Sequence, residues 1–234
     1  MTGPDPLIGR LLPAGVCAAE SFGTPPPAEL AGLYPAEEEA VSKAVDKRRR
    51  EYAWVRHCAR QALGGLGVAP GPILSGPRRE PLWPEGVVGS MTHCDGYRAA
   101  AVASTDVLLG IGLDAEPHGP LPDGILDSIT LPEERKHLDD LAGRMPQVHW
   151  QRLVFSAKES VYKAWFPQTG EWLGFHDASL LFTPAPEGPD QGVFTAQLLK
   201  SGLVLNGRPT AQLTGRWMVC RGLVITAVSL VATG

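Results

Sequence analysis

The chain has 234 residues, of which 44% are hydrophobic and 20% charged, and its mean hydropathy is −0.04. These values are typical of a soluble globular protein that buries a core without disulfides or a structural metal. Because the formal net charge is −4, the composition argues against nucleic-acid and membrane partners. Any anionic ligand must therefore be held by a local cluster of cations.

The first half of the chain predicts a long helix after an irregular N-terminal region. Residues 1–35 are rich in Pro and Gly and are expected to be irregular. Residues 36–63 show the longest helical signal, with acidic residues in the first turn and Gly64-Gly65 after the last. Its apolar residues recur at intervals of three, four or seven positions. They are Val41, Val45, Tyr52, Val55, Ala59 and Leu63.

A small sheet is predicted to follow a Pro- and Gly-rich loop at 68–84. Three strand-like runs occupy 87–92, 98–104 and 107–114. The dipeptides Asp95-Gly96 and Thr105-Asp106 between them are typical of hairpin turns. The pattern therefore predicts a three-stranded antiparallel meander.

The second half of the chain repeats this order. Helices are predicted at 132–142 and 147–166, and strands at 178–182, 192–199, 214–219 and 223–231. Helix followed by antiparallel strands, twice, predicts an α+β fold of two similar lobes. We expect each lobe to pack a long helix on a small antiparallel sheet, with a pseudo-twofold relating lobes 1–112 and 113–234. A chain with two such lobes is expected to be a monomer.

Targeting and redox features predict a cytoplasmic protein. The N-terminus has no basic segment followed by an apolar one, and the run Leu223–Val231 is too short to cross a bilayer. The four cysteines form no Cys-x-x-Cys pair, so reduced thiols are the better interpretation. A joint metal site of His57-Cys58 and His93-Cys94 would lack the ligand spacing of zinc sites.

Two carboxylates close the third strand-like run. Asp114 and Glu116 are two residues apart, so on a strand they point the same way, about 7 Å apart. Like charges this close are unfavourable unless a cation or a shared proton relieves them, and oxygen ligands suit Mg²⁺. A pair of solvated acids in a turn is the alternative.

The long helix of the second half carries a polar stripe opposite its apolar one. The stripe comprises Arg152, Ser156, Glu159 and Lys163. Glu159 and Lys163 are four residues apart and are helix neighbours. This spacing alone is also typical of an exposed ion pair on an amphipathic helix.

Basic residues cluster on the first long helix. The run 47–50 contains one lysine and three arginines, and Arg56 and Arg60 follow. The cluster is a solvated face, a nucleic-acid patch or a phosphate site, and the acidic protein as a whole disfavours the second. Because Arg48 and Arg56 lie within about a quarter-turn of each other, both can reach one phosphorylated ligand.

Two further groups could hold a phosphate. Arg78 and Arg79 offer bidentate donors in the loop before the first strand of the sheet. Ser90, Thr92 and His93 lie at a strand end, where hydroxyls and an imidazole suit a phosphate or a nucleobase. A lone histidine of this kind is more often a structural hydrogen-bonding residue.

In this order and spacing the motifs resemble the 4′-phosphopantetheinyl transferase superfamily, particularly its single-chain, Sfp-type members from actinobacteria. The resemblance runs from about Glu38 to the C-terminus. Its most specific elements are the segment 112–116 and the segment 155–159 with Lys163-Ala164. The loop departs from the family's pattern at Ser75, where close relatives often carry a basic residue.

The resemblance implies a cleft between two lobes that holds coenzyme A and Mg²⁺, with Mn²⁺ as a substitute. Asp114, Glu116 and Glu159 would bind the metal with the pyrophosphate of coenzyme A. The N-terminal lobe would hold the phosphates and adenine. Its candidate binding residues are Arg48, Arg56, Arg78, Arg79, Ser90, Thr92 and His93. The C-terminal lobe would add Lys158 and Lys163 to the binding of coenzyme A.

The implied reaction transfers phosphopantetheine to a serine of apo acyl or peptidyl carrier proteins of fatty-acid, polyketide or nonribosomal-peptide synthesis, and releases 3′,5′-adenosine bisphosphate. Glu159, Lys163 and Asp114 would be the catalytic residues. Glu159 would act as the base, and Lys163 or Lys158 would stabilise the departing phosphate. The apolar segment 120–132 is either the carrier contact or packed core. A magnesium-dependent nucleotide phosphohydrolase and a nucleic-acid-binding module stay open as alternatives.

Overall fold

The structure is a computed structural model that describes residues 6–186 and 188–232. Its helices are α1 (Pro35–Ala40), α2 (Asp46–Gly65), α3 (Ile125–Ile129), α4 (Pro132–Arg144) and α5 (Trp150–Thr169). Its strands are β1 (Cys17–Phe22), β2 (Val87–Cys94), β3 (Tyr97–Ser104), β4 (Leu108–Pro117), β5 (Ala178–Ala185), β6 (Gly188–Leu198), β7 (Val204–Leu205), β8 (Arg208–Pro209), β9 (Gln212–Cys220) and β10 (Leu223–Val231). Short 3₁₀ turns lie at Ile8–Leu11, Ala28–Ala31 and Phe175–Asp177.

The first lobe packs α2 on an antiparallel sheet of order β1-β3-β2. The central strand β3 is buried on both faces because its side chains are small and alternate in direction. Ala100 and Val102 pack against α2, whereas Ala99, Ala101 and Ala103 face the second lobe. The alanines let the two sheets approach closely.

The second lobe packs α5 on an antiparallel sheet of order β4-β10-β9-β6-β5. Successive side chains of strand β10 also point to opposite faces of the sheet. Val224 and Val228 contact the cluster around α5, whereas Ile225 and Ala227 face the first lobe. The order of layers is therefore α2, first sheet, second sheet, α5. The α+β prediction, with a long helix on an antiparallel sheet in each lobe, is confirmed, although the second sheet is the larger.

The predicted helix at 36–63 is wrong in one respect, because it is two helices. Helix α1 ends at Ala40 and α2 begins at Asp46. Val45 precedes α2 in an extended conformation and is 74% exposed, so it does not belong to the apolar face. The buried Glu37 accounts for the separate first helix, since it binds Arg60 and the backbone N–H of Ile73.

The prediction that residues 1–35 are irregular is also wrong for part of that region. Strand β1 pairs with β3, with Ala19 opposite Ala100. The turn Ile8–Leu11 packs between the sheets, where Ile8 is fully buried. Residues 1–5 of the region lie outside the described residues.

The predicted meander is wrong at its third strand. Strands β2 and β3 form the expected hairpin, but β4 pairs with β10 along its whole length. The expected lobe boundary after residue 112 therefore falls inside β4, which is part of the second sheet. The bounds 1–112 and 113–234 of the two lobes stay a prediction. None of the described helices combines the length and the apolar character needed to span a membrane.

Candidate active site

Strand β4 presents its acidic residues to helix α5. Odd-numbered residues such as Leu113 face the first lobe, and even-numbered residues from Gly112 to Glu116 face the other way. A Cβ atom at Gly112 would overlap the backbone carbonyl oxygen of Ser160, so only glycine permits this approach of α5 to β4. The approach brings Glu159 and Lys163 to the end of the strand that carries Asp114.

Asp114 is buried and forms an ion pair with the partly exposed Lys163. The Nζ of Lys163 lies 2.8 Å from Oδ1 of Asp114 and also donates to the carbonyl oxygen of Leu113 at 2.8 Å. Asp114 is 6% exposed, and its Oδ2 has no hydrogen-bond partner among the described residues. A buried carboxylate oxygen without a partner is costly, which indicates that a ligand belongs there.

Glu116 is neutralised by an arginine of α5. The Nη1 of Arg152 lies 3.1 Å from Oε2 of Glu116, and the same guanidinium donates to the carbonyl oxygens of Gly119 and Pro120. Burial raises the pKa of Glu116 above its usual value, the charge of Asp114 adds to the rise, and Arg152 opposes it. Arg152 thus fixes the chain after β4.

Glu159 is partly buried beside the Asp114–Lys163 pair. Burial raises its pKa, and Asp114 adds to that effect while Lys163 opposes it. Glu159 also lines a groove on the second lobe. The groove is formed by Lys158, Glu159, Tyr162, Trp172, Leu173, Gly174, Phe175 and Ala178. One wall of this groove is aromatic, since the rings of Tyr162 and Trp172 lie 4.8 Å apart.

The three predicted metal ligands interact electrostatically, but their carboxyl groups do not converge on a common position. The charge of Asp114 raises the pKa of both Glu116 and Glu159. In the part of the chain that the structure describes, no three acidic, histidine or cysteine side chains lie close enough together to enclose an ion. The donor set nevertheless fits Mg²⁺, because it supplies hard oxygen ligands and one of them, Oδ2 of Asp114, is buried and unpaired.

Ser90 and Thr92 are buried hydrogen-bond acceptors, and their place in the coenzyme A site stays a prediction. Ser90 Oγ accepts the N–H of Leu113 at 3.0 Å, and Thr92 Oγ1 accepts the N–H of Ala115 at 3.0 Å. These N–H groups lie on the edge of β4 that faces away from β10. The two hydroxyls therefore join β2 to β4 and fix the backbone on either side of Asp114.

Arg48 contacts His93, which lines a cavity of the first lobe. Arg48 Nη1 lies 3.3 Å from Nε2 of His93, and Glu51 Oε2 lies 3.5 Å from the same nitrogen. Burial lowers the pKa of His93. A cavity of about 340 Å³ is bounded here by α2 and the β2–β3 turn. Lys47, Arg50, Glu51, His93 and Arg98 are among its lining residues.

Arg56 is buried rather than directed at solvent, which the sequence did not reveal. Its Nε donates to the carbonyl oxygen of Ile73 at 2.7 Å and its Nη2 to Oγ of Ser75 at 3.0 Å. It also stacks on the ring of Tyr52, and burial lowers its pKa to about 10. Arg56 thus holds the loop that leads to Arg78 and Arg79.

Arg78 and Arg79 are exposed at the tip of that loop. Arg79 adopts a left-handed conformation with φ 68°. Burial raises the pKa of Tyr162, which lines the groove of the second lobe, and the charge of Arg78 opposes that rise.

Two predicted residues of α5 belong to the interior. Lys158 is 4% exposed, and its ammonium is bound by Glu134 and two backbone carbonyls. Its contact with a ligand phosphate stays a prediction. Ser156 is fully buried and bonds Thr226 on β10, so it is not part of a solvent-facing stripe. Sequence reasoning missed Glu134; its position three residues after the N-cap of α4 was the only available signal.

The segment 120–132, which the sequence predicts to be either the carrier contact or packed core, contains both exposed and buried apolar residues. Leu121 and Ile129 are buried in the core of the second lobe, whereas Ile125 is 37% exposed at the start of α3. Most of the segment's apolar surface is therefore core.

Comparison with known proteins identifies the family. The profile of the 4′-phosphopantetheinyl transferase N-terminal domain matches residues 36–103, and that of the 4′-phosphopantetheinyl transferase superfamily matches residues 110–196. The chain is 50% identical to the 4′-phosphopantetheinyl transferase Svp of Streptomyces mobaraensis over 97% of this chain and 90% of that protein.

Two other actinobacterial relatives are similar over their whole length. Identity is 49% to the 4′-phosphopantetheinyl transferase PptT of Mycobacterium tuberculosis, over 96% of this chain and 98% of that protein. It is 46% to the 4′-phosphopantetheinyl transferase Npt of Nocardia iowensis, over 95% of this chain and 99% of that protein. These matches give no support to the phosphohydrolase or nucleic-acid-binding alternatives. The chain therefore belongs to the 4′-phosphopantetheinyl transferase superfamily and is a transferase of phosphopantetheine from coenzyme A to carrier proteins.

Proposed function

We propose that Asp114, Glu116 and Glu159 hold Mg²⁺ against the diphosphate of coenzyme A. The observation that carries this proposal is the buried, unpaired Oδ2 of Asp114, flanked by two further carboxylates whose pKa values are raised. The bound metal would supply charge neutralisation at the transferring phosphoryl group.

The residues around Asp114 have separate tasks in this proposal. Lys163 is partly exposed, and its ammonium, which donates to Oδ1 of Asp114 and the carbonyl oxygen of Leu113, turns to the departing phosphate. Glu159 takes the proton of the carrier serine, directly or through water. Arg48 and His93 bind the 3′-phosphate beside the cavity of the first lobe.

The groove beside Glu159 suits the pantetheine arm. It starts at the candidate base, and its walls include Tyr162, Trp172 and Phe175. An uncharged arm with amide groups fits an aromatic groove with a few polar ends. We further propose that the enzyme acts as a monomer in the cytoplasm on acyl or peptidyl carrier domains. The four free thiols support the cytoplasmic location, because thiols stay reduced there.

Intact-mass spectrometry of an apo carrier protein tests the proposal. Incubation with this protein, coenzyme A and Mg²⁺ is expected to add the phosphopantetheine mass, and EDTA is expected to abolish the addition. Glu159→Gln is expected to lose nearly all transfer while it still binds coenzyme A, because the base is lost and the phosphate contacts remain. The matched control is Glu85→Gln, since Glu85 is an exposed glutamate far from Glu159 in the sequence. Transfer at the wild-type rate in EDTA, or by Glu159→Gln, contradicts the proposal.

A further inference from the structure

Lys158 precedes the candidate base on α5, yet its ammonium is fully engaged inside the second lobe. Its Nζ lies 2.8 Å from Oε2 of Glu134, 2.6 Å from the carbonyl oxygen of Phe175 and 2.9 Å from that of Ala178. A lysine ammonium has three donors, so all three are used within the protein.

Glu134 is equally engaged on the other side of the pair. It is 2% exposed and accepts the N–H groups of Leu131 and Leu180, each at 2.7 Å. The ion pair therefore connects the start of α4, the middle of α5, the turn Phe175–Asp177 and strand β5. A buried ion pair contributes little net stability compared with apolar residues, so stability alone does not account for it.

The groups that Lys158 holds form one side of the groove. Phe175 and Ala178 line it, and Glu159 lies on the same helix as Lys158, one residue further on. We propose that the Lys158–Glu134 ion pair is a positioning device that keeps the Phe175–Ala178 wall at a fixed distance from Glu159. The groove is thereby preformed for the pantetheine arm. This inference rests on the proposed placement of the arm.

A positioning role and direct phosphate binding have different consequences for two ligands. Coenzyme A carries the pantetheine arm, whereas 3′-phosphoadenosine 5′-diphosphate, the arm-free nucleotide, carries the same three phosphates and adenine without the arm. If Lys158 positions the wall, its loss weakens the binding of coenzyme A and leaves that of the arm-free nucleotide unchanged. If Lys158 binds phosphate, both ligands are weakened.

Isothermal titration calorimetry of both ligands distinguishes these cases. For Lys158→Met and for Glu134→Gln we expect the Kd of coenzyme A to rise about 10- to 100-fold, the range found when a supporting residue of a site is removed. The Kd of the arm-free nucleotide is expected to stay at the wild-type value. Lys163→Met, a partly exposed lysine of the same helix, is the control that weakens both ligands.

The conservative variant Lys158→Arg gives a second readout. A guanidinium is longer and planar, so it does not fit a site built around a compact ammonium, and we expect no recovery of coenzyme A binding. Recovery by arginine, or an equal loss of both ligands in Lys158→Met, overturns the proposal in favour of phosphate binding.

The remaining outcomes also decide the question. Wild-type affinity of both variants for both ligands overturns the positioning role. If circular dichroism shows that Lys158→Met does not fold, Glu134→Gln is judged by the same criteria. If the wild-type protein binds coenzyme A no more tightly than the arm-free nucleotide, the proposed placement of the arm is overturned, and the failure lies in the proposed function.

Discussion

The carboxyl groups of Glu116 and Glu159 lie in surroundings that disfavour their charged forms. Burial raises the pKa of both above the usual value of 4.5, and the nearby charge of Asp114 adds to the rise. At these positions the fold accepts an electrostatic cost that a bound cation would relieve. The charge of Lys163 opposes the rise in both pKa values but does not cancel it. Lys163 also leaves Oδ2 of Asp114 without a hydrogen-bond partner.

The raised pKa of Glu159 gives a prediction about stability. The folded protein holds this proton more tightly than the unfolded chain, so the free energy of unfolding falls as the pH rises from 4.5 through the raised pKa. Without metal, Glu159→Gln is therefore expected to be more stable than the wild type at pH 7.5, by about 2–4 °C in Tm for each kcal/mol relieved in a chain of this size.

Differential scanning calorimetry in EDTA at pH 4.5 and 7.5 measures this difference. The Tm advantage of Glu159→Gln should be small at pH 4.5 and larger at pH 7.5, whereas Glu85→Gln should show no such trend. An advantage that shrinks with rising pH would mean that the charged Glu159 stabilises the fold.

At the scale of elements, the site depends on how closely α5 lies on β4. Gly112 faces the backbone of Ser160 and Ala164, which cannot move aside without shifting the helix. Gly110, two residues earlier on the same face, would meet the side chains of Gln168 and Leu230 at 3.1 and 3.2 Å. Side chains of that kind can adjust.

Gly112→Ala is expected to destabilise the protein by about 3 kcal/mol or more, at the upper end of the cost of overpacking a core. It should also lower the transfer rate, because α5 carries Glu159 and Lys163. Gly110→Ala is the matched control, with a smaller loss of stability and near-normal transfer. Urea denaturation and the carrier-protein assay measure both effects. Equal losses in the two variants would refute the role of the helix–strand contact.

Much of this arrangement could be predicted from local sequence. Helices α4 and α5 and strands β2, β3, β5, β6, β9 and β10 follow from hydrophobic periodicity and turn residues. The same signals placed Asp114 and Glu116 at the end of a strand, and Glu159 and Lys163 on one face of a helix.

Local sequence could not predict the long-range pairings. Strand β4 follows β3 after a short turn, but its partner β10 begins more than a hundred residues later. Strand β1 lies in a Pro- and Gly-rich region that shows no clear strand pattern. It forms through its pairing with β3, which local sequence does not reveal. Lys158 and Arg56 are charged residues in amphipathic helices, and only the packed structure shows that buried acceptors hold them.

At the scale of the whole molecule, the candidate site lies beside the contact between β2 and β4 that joins the two sheets. Strand β4 belongs to the second sheet. The hydroxyls of Ser90 and Thr92 on β2 accept hydrogen bonds from backbone N–H groups on the edge of β4 that β10 does not cover. The first lobe thereby fixes the strand that carries Asp114, while the second lobe supplies Glu159. Neither lobe contains all of the site's charged residues.

The double variant Ser90→Ala with Thr92→Val tests this connection. It leaves the N–H groups of Leu113 and Ala115 without acceptors, at a cost of about 1–3 kcal/mol for each buried group. We expect lower stability in urea denaturation together with a lower transfer rate. Ser104→Ala on β3, whose hydroxyl lies in an exposed turn, is the control. Weaker coenzyme A binding at unchanged stability would show that the hydroxyls contact the ligand instead.

A crystal structure with coenzyme A and Mg²⁺ tests the account most directly. We expect one ion bound by Asp114 through Oδ2, by Glu116 and by Glu159, at about 2.0–2.1 Å to each oxygen, with diphosphate oxygens and water completing an octahedron. An ion held away from these three carboxylates, or a diphosphate bound outside the space between β4 and α5, would contradict it.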